Sequence, residues 1–427
     1  MSSLSNLAVC VSLFVYSLAV STSYGASVVR VEGEPGKWSL SHNGKTYFPK
    51  GAGGKASKEL LAEMGGNSFR TWSVDNLETS LEEAQRLGLT VMAGFWLGHS
   101  EHGFDYTDKR RLETTERKVL AGVARFKDHD TLLCWALGNE MEMRNPHRRE
   151  MWEFIDQLAV KVKRIDPNHP VCTVVAGIPD STLSEFRDLA PHLDFLGINS
   201  YAACPRIGER WRAAQMTRPY LVTEFGARGS WESPKDAHGI PLEQTSTEKG
   251  VFFRNSYRKS VAAERGRNCL GSYAFTWGWK VESTPTWHGM LLPDDSILAA
   301  AEAMQEEWGE RPLRNRVPKI SQIQKDGEMM FSASASDPDG DTIRWKWTLL
   351  SDTRDYTTIG KGLALPKEWN GAITDEQSSK ANGSVISTVQ VKLPGNGVYR
   401  LYAYCFDGKG GAAYANIPLH TKNESSK

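Results

Sequence analysis

Residues 132–140 read LLCWALGNE, an apolar run that ends in an amide and a carboxylate. A strand with one wet face alternates polar and apolar residues, whereas one covered on both faces, as in the parallel sheets of α/β proteins, is apolar at consecutive positions. This run is of the second kind. Asn139 and Glu140 at its end cost desolvation free energy unless something pairs with them or uses them.

Seven more runs of similar character flank it: YFPKGAGG (47–54), NSFRTWS (67–73), LTVMAGFWLG (89–98), PVCTVVAG (170–177), LDFLGINSY (193–201), YLVTEFG (220–226) and LGSYAFTWGW (270–279). Between them lie amphipathic stretches with helical spacing, such as Ile155, Leu158, Ala159 and Val162 followed by Pro167. Asp75 with Glu78 has the spacing of a capping box, Leu77, Leu81, Ala84 and Leu87 make an apolar stripe, and Gly88 is placed to stop that helix. Eight strand–helix units predict an α/β fold, a closed (β/α)8 TIM barrel. Ahead of them VVRVEGEPGKWSLSHNG (28–44) reads as a hairpin closing the barrel floor.

The pattern changes between Pro312 and Pro318. Ile343, Trp345, Trp347 and Leu349 alternate in one segment, and Tyr399, Leu401, Ala403 and Cys405 in another, as in a small all-β sandwich. The expected domains are therefore a barrel over residues 26–314 and a sandwich over 315–427, the latter separable and dispensable for action on small substrates. SASDPDGDTIRWKW (334–347) and GVYRLYAYCFDGKGG (397–411) resemble immunoglobulin-fold modules of the polycystic-kidney-disease and cadherin types. Asp337, Asp339 and Asp341 suit either calcium or an ordinary turn, the turn being favoured.

The first 25 residues, a mostly apolar stretch followed by small residues, read as a secretory signal peptide cleaved after Gly25, which implies a secreted or periplasmic/extracellular protein without a membrane span. The 51 Lys and Arg balance 51 Asp and Glu, so no basic excess exists to attract nucleic acid. Fourteen Trp suit stacking on sugar faces. Cys134, Cys172, Cys204, Cys269 and Cys405 lack metal or disulfide spacing and read as buried thiols. His99 and His102 in GHSEHG lack a third ligand, so no metal and no cofactor is assigned.

Residues at the C-terminal ends of barrel strands share one mouth. Glu140 ends the fourth strand and Glu224 the seventh, nearly opposite, and two carboxyls about 5 Å apart across such a mouth suit retaining glycoside hydrolysis. ALGNE and TEFG, in that order, resemble the clan A retaining glycoside hydrolases, which include families 2 and 5. The resemblance implies that Glu140 is the acid/base and Glu224 the nucleophile, with Asn139 holding the sugar 2-hydroxyl. It further implies that Arg70 in GGNSFRTW and Tyr201 in GINSY support the nucleophile and that Trp277 in FTWGW lies under the sugar. Trp72, Trp96, Trp287 and His288 are candidate sugar contacts. The expected partner is a β-linked polysaccharide or oligosaccharide, β-glucan-like by preference. A transglycosylase using the same two Glu residues, or a non-catalytic carbohydrate-binding protein on this fold, are the alternatives.

Overall fold

In a computed structural model of the chain, residues 25–309, 312–353, 356 and 363–421 are described. Apart from Gly25, the expected leader lies outside them. Strands β1 (Val29–Glu32), β2 (Ser39–His42) and β3 (Lys45–Tyr47) form an antiparallel sheet. Val29 and Leu40 from it close the barrel floor, packing on the interior residues Met92, Cys172, Phe195 and Leu221.

The barrel is closed by eight parallel strands: β4 (Lys50–Gly54), β5 (Ser68–Arg70), β6 (Thr90–Phe95), β7 (Leu132–Leu137), β8 (Val171–Ala176), β9 (Phe195–Asn199), β10 (Tyr220–Phe225) and β11 (Cys269–Trp277). Each coincides with one of the eight apolar runs. All six residues of β7 are buried, which is why its sequence does not alternate. The helices are α1 (Lys58–Glu63), α2 (Leu77–Leu87), α3 (Lys109–Phe126), α4 (Arg148–Ile165), α5 (Asp180–Leu189), α6 (Ile207–Ala213), α7 (Ser246–Ser260) and α8 (Ala299–Trp308). Ile155, Leu158, Ala159 and Val162 are fully buried on α4. Gly88 ends α2 in the left-handed conformation, as expected. The capping box at Asp75 does not form: Asn76 is the N-cap, and the Asp75 carboxylate is bonded to the Ser73 hydroxyl at 2.5 Å. A capping box does open α7, where Thr245 and Glu248 exchange hydrogen bonds.

Eight antiparallel strands follow: β12 (Lys319–Ile320), β13 (Gln324–Lys325), β14 (Met330–Ser336), β15 (Arg344–Ser351), β16 (Ile373–Ala381), β17 (Ser384–Val391), β18 (Val398–Phe406) and β19 (Ala412–His420). They make two sheets, one of β12, β14, β17 and β16 with β13 at its side, the other of β15, β18 and β19. Phe331 and Val389 from the first sheet share a core with Trp347, Leu401 and Cys405 from the second. Asp337, Asp339 and Asp341 bring ligand-type oxygens within 4.8 Å in a turn, which Asp337 Oδ1 closes by accepting from the Asp339 and Asp341 amides. Among the described residues, Cys134, Cys172, Cys204, Cys269 and Cys405 are buried and unpaired. None of the described helices is long and apolar enough to cross a membrane.

The sandwich is not loosely appended. The face of β18 and β19 opposite its core carries Arg400, Tyr402 and Tyr414, all buried. Tyr414 with Ala412 packs on Leu292 and Leu298 of the β11–α8 connection. Ile297 pairs with Gly411 as an extra bridge, and Ile320 N–H donates to Thr247 on α7. The sandwich meets the barrel through a continuous buried contact.

Candidate active site

Glu140 stands two residues past Gly138, which follows the end of β7. Gly138 has φ +82°, and a Cβ there would lie 1.8 Å from Met141 Sδ, so glycine is the residue that fits. Glu140 itself sits at φ 57°, a conformation that non-glycine residues adopt at a cost of roughly 1–3 kcal/mol when the surroundings impose it. Its amide donates to Val174 C=O at 2.8 Å and its Oε1 accepts from Asn199 Nδ2 at 2.7 Å.

Glu224, on β10, is held differently. Oε1 accepts from Arg70 Nη1 at 3.0 Å and from Trp72 Nε1 at 2.9 Å, and Oε2 accepts from the Tyr201 hydroxyl at 2.8 Å. The Arg70–Glu224 ion pair is buried on both sides. Arg70 also donates to Asn139 Oδ1 at 2.6 Å, to Asn199 Oδ1 at 3.2 Å and to Thr223 C=O at 2.9 Å. Asn199 Nδ2 adds a second bond to Asn139 Oδ1 at 3.1 Å. With that oxygen engaged twice, Asn139 keeps its amide nitrogen to donate into the cleft it lines.

Burial, with the Glu224 charge nearby, pushes Glu140 up to about 8, against a downward pull from the Asn199 amide. Burial also pushes the Tyr201 hydroxyl well above its usual value, helped by the Glu224 charge, so it stays a donor. Glu142, two residues beyond Glu140, is pushed by burial to about 7 and accepts from the Ala176 amide at 2.6 Å. It braces the end of β8.

The carboxylates open into a cleft of about 1330 Å³. Of the expected residues, Asn139, Glu140, Glu224, Tyr201, Trp72 and Trp96 line it, and Arg70 lies directly beneath. Trp96 is 54% exposed and stacks on His99 at 5.0 Å, which gives that histidine a packing role. Three of the expected residues lie outside the cleft lining. Trp277 is 1% exposed in the core, its indole N–H donating to Ser57 C=O, because β11 turns this side chain away from the mouth toward the start of α1. Trp287 is buried and donates to Arg228 C=O. His288 is buried behind Tyr201 and Phe275, and burial pushes it down to about 4.

Sequence reasoning missed Asn199, which joins Glu140 to Asn139 and Arg70; the run GINSY that supplied Tyr201 contains it. It also missed Trp231 and Trp279, exposed at the cleft rim, and Leu363 and Leu365, which reach the cleft from the sandwich.

No family model matches the chain. It is 28% identical over 240 residues to a β-glucuronidase from Paenibacillus borealis, covering 48% of this chain and 38% of that protein. It is 23% identical over 318 residues to mannan endo-1,4-β-mannosidase 1 of Oryza sativa subsp. japonica, covering 60% of this chain and 70% of that one. Among solved structures, a putative β-galactosidase from Bacteroides fragilis superposes with a TM-score of 0.51 at 14% identity, over 92% of this chain and 57% of the other. The chain thus spans well under half the length of the Paenibacillus protein. In sequence the chain is similar to these glycoside hydrolases, and in fold to the solved structure.

Proposed function

We propose that the chain is a secreted retaining β-glycosidase that cleaves a β-linked oligosaccharide or polysaccharide, β-glucan-like by preference, by double displacement. The observation that carries this reading is the unequal setting of two carboxyls at one mouth. Glu224 accepts three hydrogen bonds, from Arg70, Trp72 and Tyr201, whereas burial keeps the Glu140 proton on up to about pH 8.

In the first step a Glu224 oxygen attacks the anomeric carbon while Glu140 gives its proton to the departing glycosidic oxygen, leaving a glycosyl ester on Glu224. In the second, Glu140, now ionised, takes a proton from water, which attacks the same carbon and releases Glu224. Charge leaves the Glu224 carboxylate as the ester forms, and Arg70, Trp72 and Tyr201 hold that group in place throughout. The Asn139 amide is the donor for the sugar 2-hydroxyl. No metal or cofactor enters the scheme.

The test is a screen of purified protein on β-glucans, mannans and galactans, followed by NMR of the first-formed product anomer. Initial release of the β anomer supports retention. Initial release of the α anomer would overturn it.

A further inference from the structure

Single exposed apolar side chains are ordinary on a protein surface; several gathered on one concavity mark a binding face. Among the described residues, half of the exposed large apolar side chains, namely Trp96, Trp231, Trp279 and Leu365, line the cleft that holds Glu140 and Glu224. Three belong to loops at the C-terminal ends of barrel strands. Leu365 belongs to the sandwich, in the segment between β15 and β16, and is 63% exposed.

That segment is fastened where it meets the barrel. Leu363 N–H donates to Val281 C=O at 2.9 Å, two residues from Trp279, and the Thr353 hydroxyl donates to Ser283 C=O at 2.7 Å. Behind the same β11–α8 loop lies a buried polar chain. Lys249 Nζ donates to Glu243 at 2.6 Å, to the Trp287 carbonyl at 2.7 Å and to the Tyr414 hydroxyl at 2.7 Å. Asn416 joins Glu243, at 2.8 Å, to Arg400, also at 2.8 Å, and Arg400 pairs with Asp352 at 3.1 Å. The loop therefore carries Trp279, Lys280 and Val281 on its cleft side while the sandwich grips its other side. A volume of about 1330 Å³ exceeds the roughly 300–1,000 Å³ usual for a small-molecule site, leaving room past one sugar ring.

We propose that the sandwich completes the substrate cleft: Leu363 and Leu365, set beside the Trp279 loop, form an apolar subsite for the C–H face of a sugar unit beyond the one at the carboxylates. The substrate class is then a β-linked chain of two or more units, not a simple monosaccharide glycoside. This rests on the glycosidase reading above for its hydrolytic readout, but not for its binding readout.

The test uses the full-length chain with Leu365→Ala and Leu365→Asp, changes at an exposed position that leave the core untouched. For each variant kcat/KM is measured on an aryl β-glycoside of one sugar and on the β-linked tetrasaccharide of that sugar, in the glucan, mannan and galactan series. The expected result is a fall about tenfold greater on the tetrasaccharide, carried by KM and larger for Asp than for Ala. Equal effects on both substrates, or none, would overturn the subsite. In parallel, tetrasaccharide binding is followed by tryptophan fluorescence. Wild-type binding without cleavage, weakened by both variants, would sink the glycosidase reading and sustain the subsite. Absent binding, or binding indifferent to residue 365, would sink the subsite.

Discussion

At the scale of single residues, the chemistry turns on how one carboxyl is kept protonated. Glu140 binds a proton in the folded chain up to about pH 8, whereas in the unfolded chain it releases it near 4.5, the ordinary value for a glutamate carboxyl. The folded state therefore holds more protons between those values, and stability falls as pH rises through that window. The Glu140 contribution is complete below about pH 4.5 and gone above about pH 8. Glu142, raised to about 7, adds a decline of the same sign. Glu140→Gln should flatten the wild-type decline across this range and be the more stable protein at pH 8, measured by urea denaturation at successive pH values; parallel curves would contradict the assignment. Wild-type kcat/KM should likewise fall on the alkaline side near pH 8, as the acid is lost. The sequence showed Glu140, Glu224, Arg70 and Tyr201 because each falls at a strand end within a recognisable run. It hid the double role of Asn199, since an amide between two strands signals nothing until the partners on β5 and β7 are in place.

At the scale of elements, the eight barrel strands were legible because strands covered on both faces lack alternation, and that signal survives whatever the loops do. What the pattern could not fix was the side on which a residue lies at a strand end. Trp277 shows the difficulty. It shares β11 with Phe275 and Thr276, which line the cleft, yet its indole packs in the core and donates to Ser57, the N-cap of α1. Gly54 permits this approach, since a Cβ there would lie 2.0 Å from the Trp277 carbonyl oxygen. Trp277→Ala should accordingly destabilise the fold by about 3–5 kcal/mol in chemical denaturation, the usual cost of emptying a buried Trp site. A variant of wild-type stability with only a raised KM would return Trp277 to the sugar. Asp75 illustrates a neighbouring limit: the spacing of a capping box was present, but Ser73 holds the carboxylate outside the helix, and the box formed at Thr245 instead.

Across the whole molecule, both faces of the β15, β18, β19 sheet are covered, one by the other sandwich sheet and one by the barrel. The stretch YRLYAYCF (399–406) contains this information: Leu401, Ala403 and Cys405 face the sandwich core, while Arg400 and Tyr402 on the other alternation are buried as well. Reading only the first alternation gives a detachable module; reading both gives a sheet in need of a second partner. Lys249 and Glu243, fully buried at that contact, are an ion pair whose loss should be felt far from its atoms. Burial lowers the Lys249 ammonium, while Lys249 and Arg400 hold Glu243 below its usual range against the opposing effect of burial. Lys249→Met leaves Glu243 without its ammonium and should cost about 3–5 kcal/mol of stability. It should also raise KM, because Thr286 and Trp287 lose the group that ties their carbonyls. A loss under about 1 kcal/mol would mean that the contact contributes little.

The central claim is the division of labour between Glu224 and Glu140, and azide rescue tests it most directly. With an activated aryl β-glycoside of the sugar identified in the screen, Glu224→Ala should lose several orders of magnitude in turnover and regain it with azide, yielding the α-glycosyl azide. Glu140→Ala should still form the glycosyl ester, because a good leaving group needs little protonation. Azide should then speed its release as the β-glycosyl azide. Opposite anomers from the two variants are the predicted result; the same anomer from both would contradict the account.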